Sequence, residues 1–343
     1  MSGKTYTVAV VGAGAVGEEM VKVLRQRQFP VSEMRILARS ARKQIIDGVE
    51  FDVRPTTEEA LDGVDFAFFA GTEGEKGASQ VFGWEAVRKG AFVIDNGDDY
   101  RMDPRVPIVV PEVNADALKK HQGFCANPNC STIQMVVALA PLHKLANMKR
   151  VVVSTYQSVS GSGSAAIREL QQQINAAASG DALEIKEYPY QILCNVIPQI
   201  SKLKDEFAGY YGEEIKMIKE TRKIFDLPDL GVSATCVRVP VIRAHSESLN
   251  VEFEKPITAE QARGALASAP GIIVIDDPEN SEYPMPLFAD GKDDTFVGRI
   301  RQDSSRPNTI DMWVVSDNIR KGAALNAVQI AEKIIELNLL ERK

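Results

Sequence analysis

The chain has 343 residues, 44% of them hydrophobic and 25% charged, which is the composition of a globular protein of about two domains and excludes a disordered or fibrous one. Its 40 basic and 47 acidic residues leave a net charge of −7, the wrong sign for a chain that holds nucleic acid through its phosphates. No stretch approaches the roughly 18 consecutive apolar residues that span a bilayer, and the apolar segment 6–12 is too short for a signal-peptide core, so a soluble cytoplasmic protein with no membrane partner is expected.

Residues 5–11 form an apolar, β-branched run that ends at Gly12, and residues 16–27 then carry apolar side chains at helical spacing. Strands are predicted at 34–38, 65–70 and 91–94, with a helix over 78–89. This alternation defines an α/β fold, a parallel Rossmann-type sheet wound with helices. The pattern changes near residue 127. A long apolar helix is predicted over 131–147 and strands over 150–156, 232–241, 247–254, 271–275, 295–301 and 309–316, with helices over 213–225 and 259–269 between them. That suggests a second, α+β domain on a mixed sheet. The amphipathic segment 320–340 would pack back on the first domain, giving a dinucleotide-binding domain of 1–127 completed by 318–343 and a catalytic and dimerisation domain of 128–317.

Gly12, Ala13, Gly14, Ala15, Val16 and Gly17 spell G-x-G-x-x-G directly after the first strand and at the start of the first helix. Glycines there let the backbone approach a pyrophosphate held at the helix N-terminus, whereas the alternative is a turn of purely structural use. The second strand is followed by Arg39, Ser40, Ala41, Arg42 and Lys43, where an NAD site would place a carboxylate. Cations and a hydroxyl suit a 2′-phosphate, so NADP is the expected cofactor, with a solvated basic turn as the alternative.

Four cysteines, Cys125, Cys130, Cys194 and Cys236, are too sparse for a disulfide framework, and His121, His143 and His245 show no spacing that would suggest a metal. Cys130 stands out, because it opens the long apolar helix after Asn127, Pro128 and Asn129, and a helix N-terminus favours a thiolate.

Three separated segments carry a resemblance. Asn127 to Thr132 read N-P-N-C-S-T, Ser154 to Gly161 read S-T-Y-Q-S-V-S-G, and Arg238-Val239-Pro240-Val241 leads to His245-Ser246-Glu247. Together with Asp317-Asn318-Ile319-Arg320-Lys321-Gly322-Ala323-Ala324 near the end, the chain resembles the bacterial aspartate-semialdehyde dehydrogenases over nearly its whole length. The resemblance implies an NADP-dependent, phosphorylating aldehyde dehydrogenase that interconverts L-aspartyl 4-phosphate and L-aspartate 4-semialdehyde in lysine, methionine and threonine biosynthesis. It implies Cys130 as nucleophile, His245 as general acid and base, and Gln157 as the residue that orients substrate. It also implies Arg238 on the substrate carboxylate, Glu213 on its amino group, and Lys216, Arg101 and Asn129 at the phosphate. Ser160, Gly161 and Asn318 would join the glycine loop, Arg39 and Ser40 at the cofactor, and a homodimer or dimer of dimers would form through the second domain.

Elementary chemistry suits these roles. A thiolate that attacks an acyl phosphate releases phosphate and leaves a thioester, which hydride reduces to the aldehyde. Glu213 and Lys216 share a helix face at i, i+3, a spacing equally suited to a surface ion pair. The chain departs from the family pattern at the tighter glycine loop and at Asp98 and Asp99, whose charges would repel phosphate beside Arg101 unless they point away. Glu73 and Glu75 add acid to a loop expected near the cofactor. A reductase of malonyl- or succinyl-CoA and a catalytically silent dinucleotide-binding paralogue are the alternative readings.

Overall fold

The computed structural model describes residues 3–71 and 77–340. The chain divides into two compact units, Met1–Asn129 with Ala323–Lys343, and Cys130–Gly322.

The first unit opens with β1 (Tyr6–Val11) and α1 (Ala15–Gln26) and continues through β2 (Val31–Ala38), β3 (Arg42–Ile46), β4 (Val49–Pro55) and β5 (Phe66–Phe69). Then come α2 (Ala78–Arg88), β6 (Phe92–Asp95), the short α3 (Pro111–Asn114) and β7 (Phe124–Ala126). The sheet order is β3-β4-β2-β1-β5-β6-β7, parallel throughout except for the antiparallel edge strand β3. The β3–β4 hairpin turns at Asp47 and Gly48, both at positive φ, and was not anticipated, because its exposed strands carry charged residues rather than an apolar run. The basic stretch after β2 is thus only partly a turn, since Arg42 and Lys43 already belong to β3.

The second unit begins with α4 (Cys130–Ala146) and β8 (Met148–Gln157), followed by α5 (Ser164–Ser179) and α6 (Gly212–Phe225). It continues with β9 (Gly231–Arg238), β10 (His245–Phe253), α7 (Ala259–Ala267), β11 (Ile272–Val274), the short α8 (Pro286–Ala289), β12 (Thr295–Gln302) and β13 (Thr309–Ser316). Its mixed sheet runs β11-β12-β13-β10-β8-β9. Strand β9 ends at Arg238, short of the predicted 241, because Pro240 has no N–H for a ladder. Side chains alternate across this sheet: Val151, Val153, Thr155 and Gln157 of β8 are buried, whereas Val152 and Ser154 are only partly covered and Tyr156 is exposed. Helix α4 packs on the inner face and is buried on most sides.

The chain then makes a π-helical turn at Arg320–Ala324 and enters α9 (Leu325–Glu336). The predicted single helix over 320–340 is therefore shorter, with its first turn widened. Leu325, Val328, Ala331 and Ile334 pack with Val8, Val10, Met20, Leu24, Phe66 and Phe92 in the core of the first unit.

Candidate active site

In the first unit, the turn from β1 into α1 is fixed by its glycines. Gly12 has a φ of +111°. A Cβ at Gly17 would lie 1.8 Å from the Gly12 carbonyl oxygen, so helix and turn touch there, whereas a Cβ at Gly14 would meet nothing within 4 Å. A tight turn, a close helix contact and an open position at the helix start are the three features that a bound pyrophosphate requires, and these residues fit a dinucleotide. Arg39 and Ser40 are exposed after β2. A residue that the sequence reading missed comes from the unforeseen hairpin: Gln44 donates to the Ala13 carbonyl at 3.1 Å and to Glu18 at 2.6 Å, while the guanidinium of Arg42, one of the basic residues already named, lies 3.4 Å from the same carbonyl. Glu73 and Glu75 lie outside the described residues.

Also in this unit, Arg101 is buried, its Nε donating to the Asn127 carbonyl at 3.0 Å and its Nη2 to the Asn96 carbonyl at 2.7 Å. Asn127 in turn donates to Asn96 Oδ1 at 2.8 Å and accepts from Asn326 of α9 at 2.7 Å. Asn129 is buried at the end of the unit. Asp95, at the end of β6, is pushed up to about 6 by burial, although the Gly97 N–H at 2.9 Å and Arg101 favour its charge.

In the second unit, strand parity assembles a cluster. Gln157 ends β8 and pairs with Arg238 at the end of β9, and His245 begins β10, which runs antiparallel to β8. All three are buried. Gln157 donates to Glu213 at 3.0 Å, and Lys216 lies 3.9 Å from the other Glu213 oxygen, one turn along α6. Arg238 donates to the Ser158 carbonyl at 2.6 Å. A Cβ on Gly161 would meet Arg238 Nη1 at 2.8 Å and His245 Nε2 at 3.2 Å, so only glycine leaves these two groups their space. Asn318 accepts from the Ser158 and Ser160 hydroxyls, both at 3.1 Å.

Cys130 is the first residue of α4 and partly exposed. A Cβ on Gly322 would lie 2.9 Å from the Cys130 Cβ, so the segment that follows β13, next to His245, also passes against the cysteine. Burial, assisted by the Arg238 charge, holds the His245 imidazolium well below its ordinary range, with the Ala244 carbonyl opposing. Burial likewise pushes Glu247, two residues along the same face, well above the usual carboxyl range. His121 and His143 lie elsewhere, on the Leu339 carbonyl and the Met148 N–H. Among the described residues no cluster could hold a metal.

A partly exposed thiol at a helix start and a buried imidazole in one unit, with a glycine turn that fits a dinucleotide in the other, are the parts that an aldehyde dehydrogenase of the cysteine-thioester kind uses. Two family models match the chain: the semialdehyde dehydrogenase NAD-binding domain over residues 7–121 and the semialdehyde dehydrogenase dimerisation domain over 139–321. Aspartate-semialdehyde dehydrogenase of Aquifex aeolicus is 49% identical over 98% of this chain and 99% of its own length, and that of Bacillus subtilis is 47% identical over 98% and 100%. The crystal structure of aspartate semialdehyde dehydrogenase II from Vibrio cholerae superposes with a TM-score of 0.92 at 43% identity, covering 97% of this chain and 99% of that one. The chain belongs to the aspartate-semialdehyde dehydrogenase family.

Proposed function

We propose that the chain catalyses the reversible, phosphate-dependent oxidation of L-aspartate 4-semialdehyde to L-aspartyl 4-phosphate with NADP, in the cytoplasm, as part of lysine, methionine and threonine biosynthesis. The observation that carries it is the packing, at one end of the second unit's sheet, of Gln157, Glu213, Arg238 and a buried His245 whose Nε2 has no partner among the described residues, where the segment after β13 also meets Cys130. The Vibrio cholerae enzyme has also been solved complexed with ASA, at 42% identity.

Cys130 Sγ attacks the aldehyde carbon and forms a C–S bond, while His245 serves the proton traffic of the thiol and the carbonyl oxygen. A dinucleotide would be held at Gly12, Gly14 and Gly17 with Arg39, Ser40 and Arg42 near its 2′-phosphate and Ser160, Gly161 and Asn318 as further contacts, and would supply the acceptor for the hydride that leaves the carbon bound to sulfur as the thioester forms. The thioester on Cys130 is then opened by phosphate, which Arg101, Asn129 and Lys216 bind, and the sulfur leaves as thiolate. Arg238 holds the substrate carboxylate with a planar fork, Glu213 takes its amino group, and Gln157 orients it. Two backbone carbonyls, of Asn127 and Asn96, hold the Arg101 guanidinium.

A homodimer forms through the uncovered face of the second unit's sheet. There Tyr156 is 39% exposed and packs on Trp313, with ring centroids 5.3 Å apart. The dimerisation-domain match over the same residues supports it.

The test is phosphate-dependent reduction of NADP by L-aspartate 4-semialdehyde, beside Cys130→Ser. Anion-dependent turnover that disappears in the variant is expected. Turnover with malonyl- or succinyl-CoA alone, or NADP binding without thiol-dependent turnover, overturns the reading.

A further inference from the structure

His245 is fully enclosed, and its two ring nitrogens meet different surroundings. The Ser158 backbone N–H donates to Nδ1 at 3.0 Å, and the Ser158 hydroxyl lies 3.0 Å from the same atom. Among the described residues Nε2 has no hydrogen-bond partner. The Ser158 hydroxyl also lies 3.1 Å from Asn318 Oδ1, an oxygen identified as such because the Ala244 N–H donates to it at 3.0 Å.

A hydroxyl has one hydrogen to give. Given to Nδ1, it makes that nitrogen an acceptor and leaves the ring proton on Nε2. Given to Asn318, or to the Ser160 hydroxyl 3.1 Å away, it leaves a lone pair of Ser158 Oγ facing Nδ1, which can then carry the proton while Nε2 is bare. The Ser158 backbone N–H points at Nδ1 in both cases and so favours the first arrangement.

We propose that Ser158, backed by Asn318, decides which nitrogen of His245 carries its proton, turning Nε2 from a hydrogen-bond donor into a base by rotation of one hydroxyl. This deepens, and rests on, the reading of His245 as acid and base. With Nδ1 protonated and bonded to Ser158 Oγ, the bare Nε2 takes the thiol proton and the ring becomes an imidazolium. Return of that Nε2 proton to the oxygen of the thiohemiacetal restores the neutral ring; Nε2 takes the hydroxyl proton again as hydride leaves the carbon and hands it to the sulfur that phosphate expels, so ring and thiol end as they began. Arg238, from β9, bears the charge that acts on the ring, and burial raises the carboxyl of Glu247, on the same face of β10, well above its usual range. Ser158, Ser160, Gly161 and Asn318 contribute only uncharged groups. Ser158 and Asn318 are positioning residues in this scheme.

The chain contains three histidines, so ring 15N–1H correlation spectra of the intact, labelled protein are tractable, with His245→Asn assigning the signal. The wild-type ring nitrogen shifts are expected between the limits of the two tautomers, and those of Ser158→Ala at the limit with the proton on Nε2. The same variant is expected to lose about 10- to 100-fold in kcat while KM for the semialdehyde and for NADP moves less than about threefold, with Ser158→Thr restoring kcat. Asn318→Ala combined with Ser160→Ala, which leaves Nδ1 as the near acceptor for the Ser158 hydroxyl, is expected to shift the ring signals the same way and tests the relay with Ser158 intact. Equal ring shifts in wild type and Ser158→Ala, or wild-type kcat in that variant, overturn the proposal. The spectra need no turnover, so they decide it even where the proposed substrate is rejected.

Discussion

Gln157 is held between Glu213 and Thr155: its amide nitrogen donates to Glu213 at 3.0 Å and its carbonyl oxygen accepts from the Thr155 hydroxyl at 3.0 Å, all three residues being buried. The amide cannot flip without setting its oxygen against the Glu213 carboxylate. Gln157→Glu would place a second carboxylate against Glu213, and one of the pair would have to keep its proton. A fall of at least about 100-fold in kcat/KM at pH 8 with partial recovery near pH 6 is expected, read from a pH–rate profile. A flat profile at wild-type level would remove Gln157 from the site.

Gly14 and Gly17 separate binding from folding. Gly17→Ala drives a Cβ into the Gly12 carbonyl and should cost about 2 kcal/mol or more, lowering Tm together with NADP affinity. Gly14→Ala has room for its Cβ and should leave Tm unchanged while weakening NADP at least about tenfold, because the methyl occupies the space offered to the pyrophosphate. Thermal unfolding and cofactor titration of the two variants check the contrast.

Asp95 ties stability to pH. Its carboxyl is raised by burial from 3.8 to about 6 in the folded chain. A raised pKa means that its contribution is fully present below about 3.8 and is lost as pH climbs through 6, a difference of about 3 kcal/mol. Asp95→Asn retains an acceptor for the Gly97 N–H without the charge. Urea unfolding at pH 4.5 and 7.5 should show the variant gaining on the wild type at the higher pH, and an equal gap at both would refute the assignment.

The cysteines differ in access. Cys125 and Cys236 are buried, Cys130 is partly exposed and Cys194 exposed, so iodoacetamide should modify Cys130 and Cys194 in the folded protein. Substrate should protect Cys130 alone, as peptide mass spectrometry would show. Protection spread over both cysteines would point to a general closing of the chain rather than to a site at Cys130.

The strand–turn–helix at the start and the mixed sheet that follows were legible because apolar runs and glycines are local signals. The β3–β4 hairpin was not, since its strands are exposed and charged, and with it went the approach of Gln44 and Arg42 to the glycine loop. Within the candidate site, strand parity alone puts Gln157 on the inner face of β8, whereas no local pattern announces the Gln157–Glu213 bond across 56 residues. Asn318 shows the limit most clearly. The sequence suggests only a cofactor contact for it, yet its carboxamide oxygen gathers donors from Ser158, Ser160 and Ala244, an arrangement set by tertiary packing.

The helix α9 supplies core residues from Ala324 to Ile334 to a unit whose remaining strands all precede residue 130. During synthesis the sheet of the first unit therefore waits, with part of its apolar surface uncovered, until α9 leaves the ribosome. The unit encoded in the middle, Cys130–Gly322, is complete before it. The order of maturation thus inverts the order of translation, and the glycine turn at Gly12 is made before Cys130–Gly322 and secured after it.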